Sequence, residues 1–83
     1  MYHVYILLSR KNGKKYTGYT QKRPEQRLFE HNHGSNTWTK QNGPFDLIYS
    51  ESFSSRHAAL KQEMYLKSAA GRIYLKKVFG AIA

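Results

Sequence analysis

An apolar, β-branched and aromatic run, Tyr2 to Leu8, opens the chain with Val4, Tyr5 and Ile6 at its centre, and predicts a strand. The polar stretch Arg10 to Lys15 follows. It contains Asn12-Gly13, two residues that tolerate positive φ, and this predicts a hairpin turn. The second strand is Lys15 to Thr20, with Gly18 in its middle. Pro24 is suited to open a helix, Glu25 favours its first turn, and the helix runs through Leu28 to about Asn32, where His33-Gly34 provides a stop. Ser35 to Gly43 reads as a polar loop holding the only tryptophan, Trp38. Pro44 precedes a third strand, Phe45 to Phe53, through Leu47, Ile48 and Tyr49. Ser54-Ser55 can cap a helix from Arg56 to about Ser68, with Leu60 and Met64 on one face. Gly71 is expected to interrupt, and a last short helix, Arg72 to Phe79, to end at Gly80. The order β-β-α-β-α-α predicts an α+β fold: a three-stranded antiparallel sheet flanked by helices, in one domain over residues 1–83.

A two-residue Asn12-Gly13 turn would pair Tyr5 with Thr20, Leu7 with Gly18 and Ser9 with Tyr16. Tyr5 and Tyr16 then share a sheet face, about 13 Å apart at about 3.3 Å per residue. Gly18 between them leaves backbone over which two phenols can lean, while Tyr19 falls on the opposite face.

Composition narrows the function classes. Fourteen Lys and Arg against five Asp and Glu favour a polyanionic partner, nucleic acid before an anionic membrane surface. The cations are spread along the chain, as on a folded basic surface rather than a tail. With 83 residues there is no room for a large small-molecule cofactor pocket. The absence of cysteine excludes disulfides and thiolate metal sites. The longest apolar run, Val4 to Leu8, is too short to span a bilayer and lacks the flanks of a signal peptide, so a cytoplasmic protein with no membrane association is expected.

Candidate chemistry is sparse, and each candidate also has an ordinary reading. Arg27 and His31 are four apart on one helix face, where a guanidinium fork can grip phosphate and an imidazole can move a proton. On spacing alone, a solvated basic face is the more ordinary reading of the pair. Among the acids, Glu63 sits mid-helix. It can serve a hard cation that keeps waters and phosphate as its other ligands, or simply pair with Lys67 one turn on. His31 and His33 point different ways from a helix, which argues against structural zinc. Strand tyrosines commonly just pack.

Order and spacing together resemble the GIY-YIG nuclease superfamily. Its opening Gly-Ile-Tyr and later Tyr-Ile-Gly strands correspond to His3-Val4-Tyr5 and Tyr16-Thr17-Gly18. Its arginine helix, often with a histidine one turn on, corresponds to Arg27-Leu28-Phe29-Glu30-His31, and its metal-binding glutamate to Glu63 in Lys61-Gln62-Glu63-Met64-Tyr65-Leu66-Lys67. The likeness is strongest to short stand-alone members with a Tyr-Thr-Gly-Tyr-Thr second strand. His3 replaces the first glycine, and one more residue separates Gly18 from Arg27.

The resemblance implies a DNA endonuclease, of use in repair or recombination, that hydrolyses phosphodiester bonds with Mg2+ or Mn2+. Glu63 would hold the metal, Arg27 a non-bridging phosphate oxygen, and Tyr5 or Tyr16 would activate water with His31 as relay. Lys14, Lys15, Lys22 and Arg23 would contact the backbone. Trp38 would stack on an unpaired base or else cap the core. The competing reading is a non-catalytic basic nucleic-acid-binding module of the same fold. Whether the DNA is duplex, branched or single-stranded is left open, as is the oligomeric state.

Overall fold

Tyr2–Ser9 forms β1, Lys15–Thr20 β2 and Phe45–Phe53 β3, an antiparallel sheet of order β2-β1-β3. Four helices complete the element order: α1 (Pro24–Asn32), α2 (Thr37–Asn42), α3 (Arg56–Lys67) and α4 (Ala69–Phe79). The structure is a computed structural model and describes residues 1–34 and 37–79. Among them, no helix is long and apolar enough to cross a membrane.

The central strand is buried on both faces, which explains its near-continuous apolar run. Val4 and Ile6 point to one side, where Ala59, Leu66 and Leu75 of α3 and α4 cover them. Tyr5 and Leu7 point to the other, packed with Phe45, Tyr16, Leu28, Trp38 and Leu47 beneath α1 and α2. A bulge opposite Ile6/Leu7 lets β3 serve both layers: Phe45 and Leu47 face α1, and Ile48, Tyr49 and Phe53 face α3.

The hairpin register differs from the expected one. Tyr5 opposes Gly18 and Leu7 opposes Tyr16, a shift of two residues. The connection is longer than an Asn-Gly turn because Ser9 organises it. Its hydroxyl oxygen accepts from Lys11 N and Asn12 N, while Gly13 takes φ 74°. An even shift keeps every side chain on its face, whereas an odd one would have inverted the strand. Tyr5, Tyr16 and Gly18 therefore share a face, with Tyr19 on the other.

The helix starts follow local chemistry. Pro24 opens α1, and Gly34 at φ 74° follows its end. Ser55 caps α3 by accepting from Ala58 N. Two expectations need correction. The segment read as a polar loop contains α2, held at its end by Asn42, whose amide donates to Trp38 O and accepts from Asn12. Finally, α4 runs straight through Gly71, and the break falls at Ser68. The expected stop at Gly80 lies outside the described residues.

Gly71 is a packing glycine. A Cβ there would stand 2.0 Å from Tyr65 O and 2.6 Å from Leu66 Cα. Backbone cannot step aside without moving α4 off the end of α3. Gly71→Ala should therefore destabilise by about 3 kcal/mol, the upper end of ordinary overpacking. A urea midpoint matching the parent's would show that α3 and α4 do not meet this way.

Candidate active site

The site grows from the hairpin face that carries Gly18. A side chain at Gly18 would meet the Tyr5 hydroxyl at 2.7 Å and the Tyr16 ring at 3.2 Å, so glycine is what lets both phenols lie over β2. The two rings sit 6.3 Å apart. Across from them, α1 presents Arg27 and His31, one turn apart on the buried side of the helix. Asn32 anchors α1 here, accepting from Phe45 N at 2.7 Å and donating to Phe45 O at 3.3 Å.

Tyr5 Oη and Arg27 Nη2 approach the same atom, His31 Nε2, at 3.1 and 3.2 Å. A guanidinium can only donate, so Nε2 must be an acceptor and the ring proton resides on Nδ1. The Tyr5 hydroxyl then also donates to Nε2. Burial pushes the Tyr5 phenol above its ordinary value; the adjacent Arg27 works against this, and the charges of Tyr16 and, most weakly, Glu63 add to it. Burial, with the charge of Arg27, pushes His31 below its ordinary value, against Glu30. At neutral pH the result is a protonated phenol bonded to a neutral imidazole. Arg27 keeps its charge. Burial disfavours that charge, but hydrogen bonding to Tyr5 and Glu30 outweighs it.

Glu30 is tied to Lys22 at 2.9 Å and to Arg27, and these two hold its carboxyl below the usual range. Asp46 is similarly committed to Arg10, and Glu51 accepts from the Tyr49 hydroxyl. That leaves Glu25, exposed in the first turn of α1, and Glu63. The Glu63 side chain is only 15% exposed, and it faces Lys67 at a loose 3.5 Å. Among the described residues no group of three or more His, Cys, Asp and Glu side chains could hold a metal. Such a donor set does not suit zinc or a calcium cage. It suits an ion of the magnesium kind, which takes one carboxylate and keeps waters and phosphate for the rest.

Residues 1–77 match the family described as the GIY-YIG catalytic domain. The chain belongs to that family. Relatives include a UPF0213 protein of Staphylococcus saprophyticus, 35% identical over 77 residues, covering 92% of this chain and 93% of the relative. A UPF0213 protein of Staphylococcus haemolyticus is 36% identical over 78 residues, with 93% of each chain covered. The solution NMR structure of a UPF0213 protein from Bacillus halodurans superposes with a TM-score of 0.56 at 32% identity, covering 98% of this chain and 88% of that one. The α+β architecture is thus a GIY-YIG-like one, of a superfamily associated with nucleic acid.

On this GIY-YIG frame the sequence candidates fall into three groups. Tyr5, Tyr16, Gly18, Arg27 and His31 converge. Tyr16 joins through its ring, 4.8 Å from His31 and 5.5 Å from Trp38. Glu63 comes from α3, in the layer on the other side of the sheet, and its charge is felt at Tyr5. Of the four expected backbone contacts, Lys14 and Lys15 line a groove beside β2, whereas Lys22 is paired with Glu30 and Arg23 precedes α1. Trp38 stacks on Phe45 at 5.6 Å and caps the core, while also reaching the groove. His3, in the place of the family's first glycine, is hydrogen-bonded to Ser52 at 2.8 Å. The same groove is lined by Lys67, which the sequence offers only as a partner for Glu63, and by Arg72 and Lys76, to which the sequence assigns no role. Their signal was present in the four-residue spacing of Arg72 and Lys76 on one helix face.

Proposed function

We propose that this chain binds DNA across the Tyr5–Arg27–His31 face and hydrolyses its phosphodiester backbone with a divalent ion held at Glu63. The observation that carries the reading is the shared acceptor, His31 Nε2, which takes hydrogen bonds from both Tyr5 and Arg27. A binding surface has no need of a buried neutral imidazole poised to receive a phenolic proton. Arg27 grips a non-bridging oxygen and offsets charge that develops in the transition state. Tyr5 takes the proton of the attacking water as its own passes to His31. Glu63 would hold the Mg2+ or Mn2+, which when bound would supply Lewis acidity for the phosphoryl group. The fold and its nucleic-acid association fit either a repair or a recombination setting.

A second reading, a nucleic-acid-binding module without turnover, is favoured by a specific observation: among the described residues no cluster of donor side chains joins Glu63, which already faces a cation, Lys67.

Arg27→Lys separates the two. Lysine keeps the charge and loses the fork. Binding measured on one oligonucleotide should change little, because the other 13 cations stay. Single-turnover cleavage of the same oligonucleotide should fall about 10²-fold, the usual loss for one transition-state donor. Equal losses in binding and cleavage would make Arg27 an ordinary backbone contact.

A further inference from the structure

Beside β2, one edge strand of the sheet, runs a groove of about 870 Å³. One wall is the hairpin end, with Lys14 and Lys15, and the other is the α3–α4 corner, with Lys67, Arg72 and Lys76. No acidic residue lines it. Trp38 and Tyr16 present aromatic surface between the walls, and Leu66 and Leu75 form an apolar floor. Such an arrangement does not suit a duplex, whose bases are stacked away inside. It suits one strand, whose phosphates meet cations on both walls while an unpaired base lies on an aromatic face.

The groove is joined to the candidate active site at two points. Tyr16 lines it and also lies 4.8 Å from the His31 ring. Lys67 lines it and pairs with Glu63. Arg72 and Lys76 are exposed, one turn apart on α4, at a spacing of about one nucleotide step.

We propose that this groove is a strand-binding subsite: it holds an unpaired stretch of DNA flanking the scissile phosphate, with Arg72, Lys76 and Lys14 on phosphates and a base against Trp38. The inference deepens the nucleic-acid reading above and rests on it. The subsite sets the substrate class, since DNA that is paired on both sides of the cut would leave the groove empty.

The test is binding of a short fluorescein-labelled oligothymidylate to the full chain, in EDTA to keep cleavage out of the readout. A duplex of equal length is run in parallel. Arg72→Ala/Lys76→Ala should weaken oligothymidylate binding at least tenfold. It should also reduce the slope of log affinity against log salt by about 1.4, two single-strand phosphate contacts' worth. The control Lys61→Ala/Lys77→Ala removes the same charge from exposed positions outside the groove and should leave that slope unchanged. Trp38 fluorescence should be quenched on saturation of the parent. Equal losses in the two double variants, or unquenched Trp38, would overturn the groove. An equal loss for the duplex would overturn its assignment to an unpaired strand. A parent that binds no oligonucleotide would remove the nucleic-acid reading itself, whereas groove-independent binding would remove only the subsite.

Discussion

Glu63→Gln should leave a folded protein that still binds oligonucleotide and no longer cuts it. Glutamine fills the same space on α3, so the packing of Ala59 and Leu66 against β1 is untouched. What disappears is the negative charge that a hard cation requires. The other described carboxylates cannot take over: Glu30, Asp46 and Glu51 are committed to partners, and Glu25 sits in the first turn of α1. The loss should exceed about 10³-fold, the upper range for a single electrostatic contributor. Lys67, released from Glu63, should if anything tighten DNA binding slightly. Thermal unfolding and binding isotherms on the same preparation separate the effects. A mutant that cleaves at the parent rate would remove Glu63 from the site.

Tyr5→Phe should lower cleavage by about 10²-fold or more, the range of a proton-transferring group. Phenylalanine retains the ring contacts with Tyr16 and the packing with Leu7 and Phe45. His31 loses a donor and the site loses its base. The pH profile reports the same network. The relay needs His31 neutral, so the rate falls as pH drops through the imidazole's value in the folded protein. Burial has lowered that value, so the midpoint of the acid limb should lie below the ordinary imidazole value of about 6.5. In Tyr5→Phe the limb should vanish with the fast reaction. The same substitution at Tyr16 keeps a ring placed by His31 and Trp38 and should lose less. If Tyr16→Phe loses more, the roles of the two tyrosines exchange.

These assignments show how far the chain could be read in advance. Strand content and order followed from apolar runs and turn residues, β2 from its aromatic and β-branched run, and α1 was bounded correctly because Pro24 suits a first turn and His33-Gly34 a stop. The face shared by Tyr5 and Tyr16 survived an incorrect register because the error was even. The register itself depended on Ser9, whose hydroxyl gathers amides of the connection, and a serine side chain has many possible uses. Gly71 was misread because a packing glycine and a helix-breaking one look alike until the neighbouring helix is placed. For the same reason α2 was missed. Its six residues carry no apolar period, and it is held through Trp38 and Asn42 by distant partners. Arg27 and His31 could be paired by spacing, but their meeting with Tyr5 on one nitrogen is a tertiary fact. The groove is tertiary too, since Lys14 and Arg72 come to line one groove only once the α3–α4 corner faces the hairpin.

The central claim is that this surface cuts DNA rather than merely holding it. Single-turnover incubation of the purified chain with an end-labelled oligonucleotide, at protein concentrations that saturate binding, tests it most directly. With Mg2+ or Mn2+ the account predicts shortened labelled product, abolished by EDTA. Saturated but uncut oligonucleotide under every metal condition would contradict it and leave a nucleic-acid-binding module in its place.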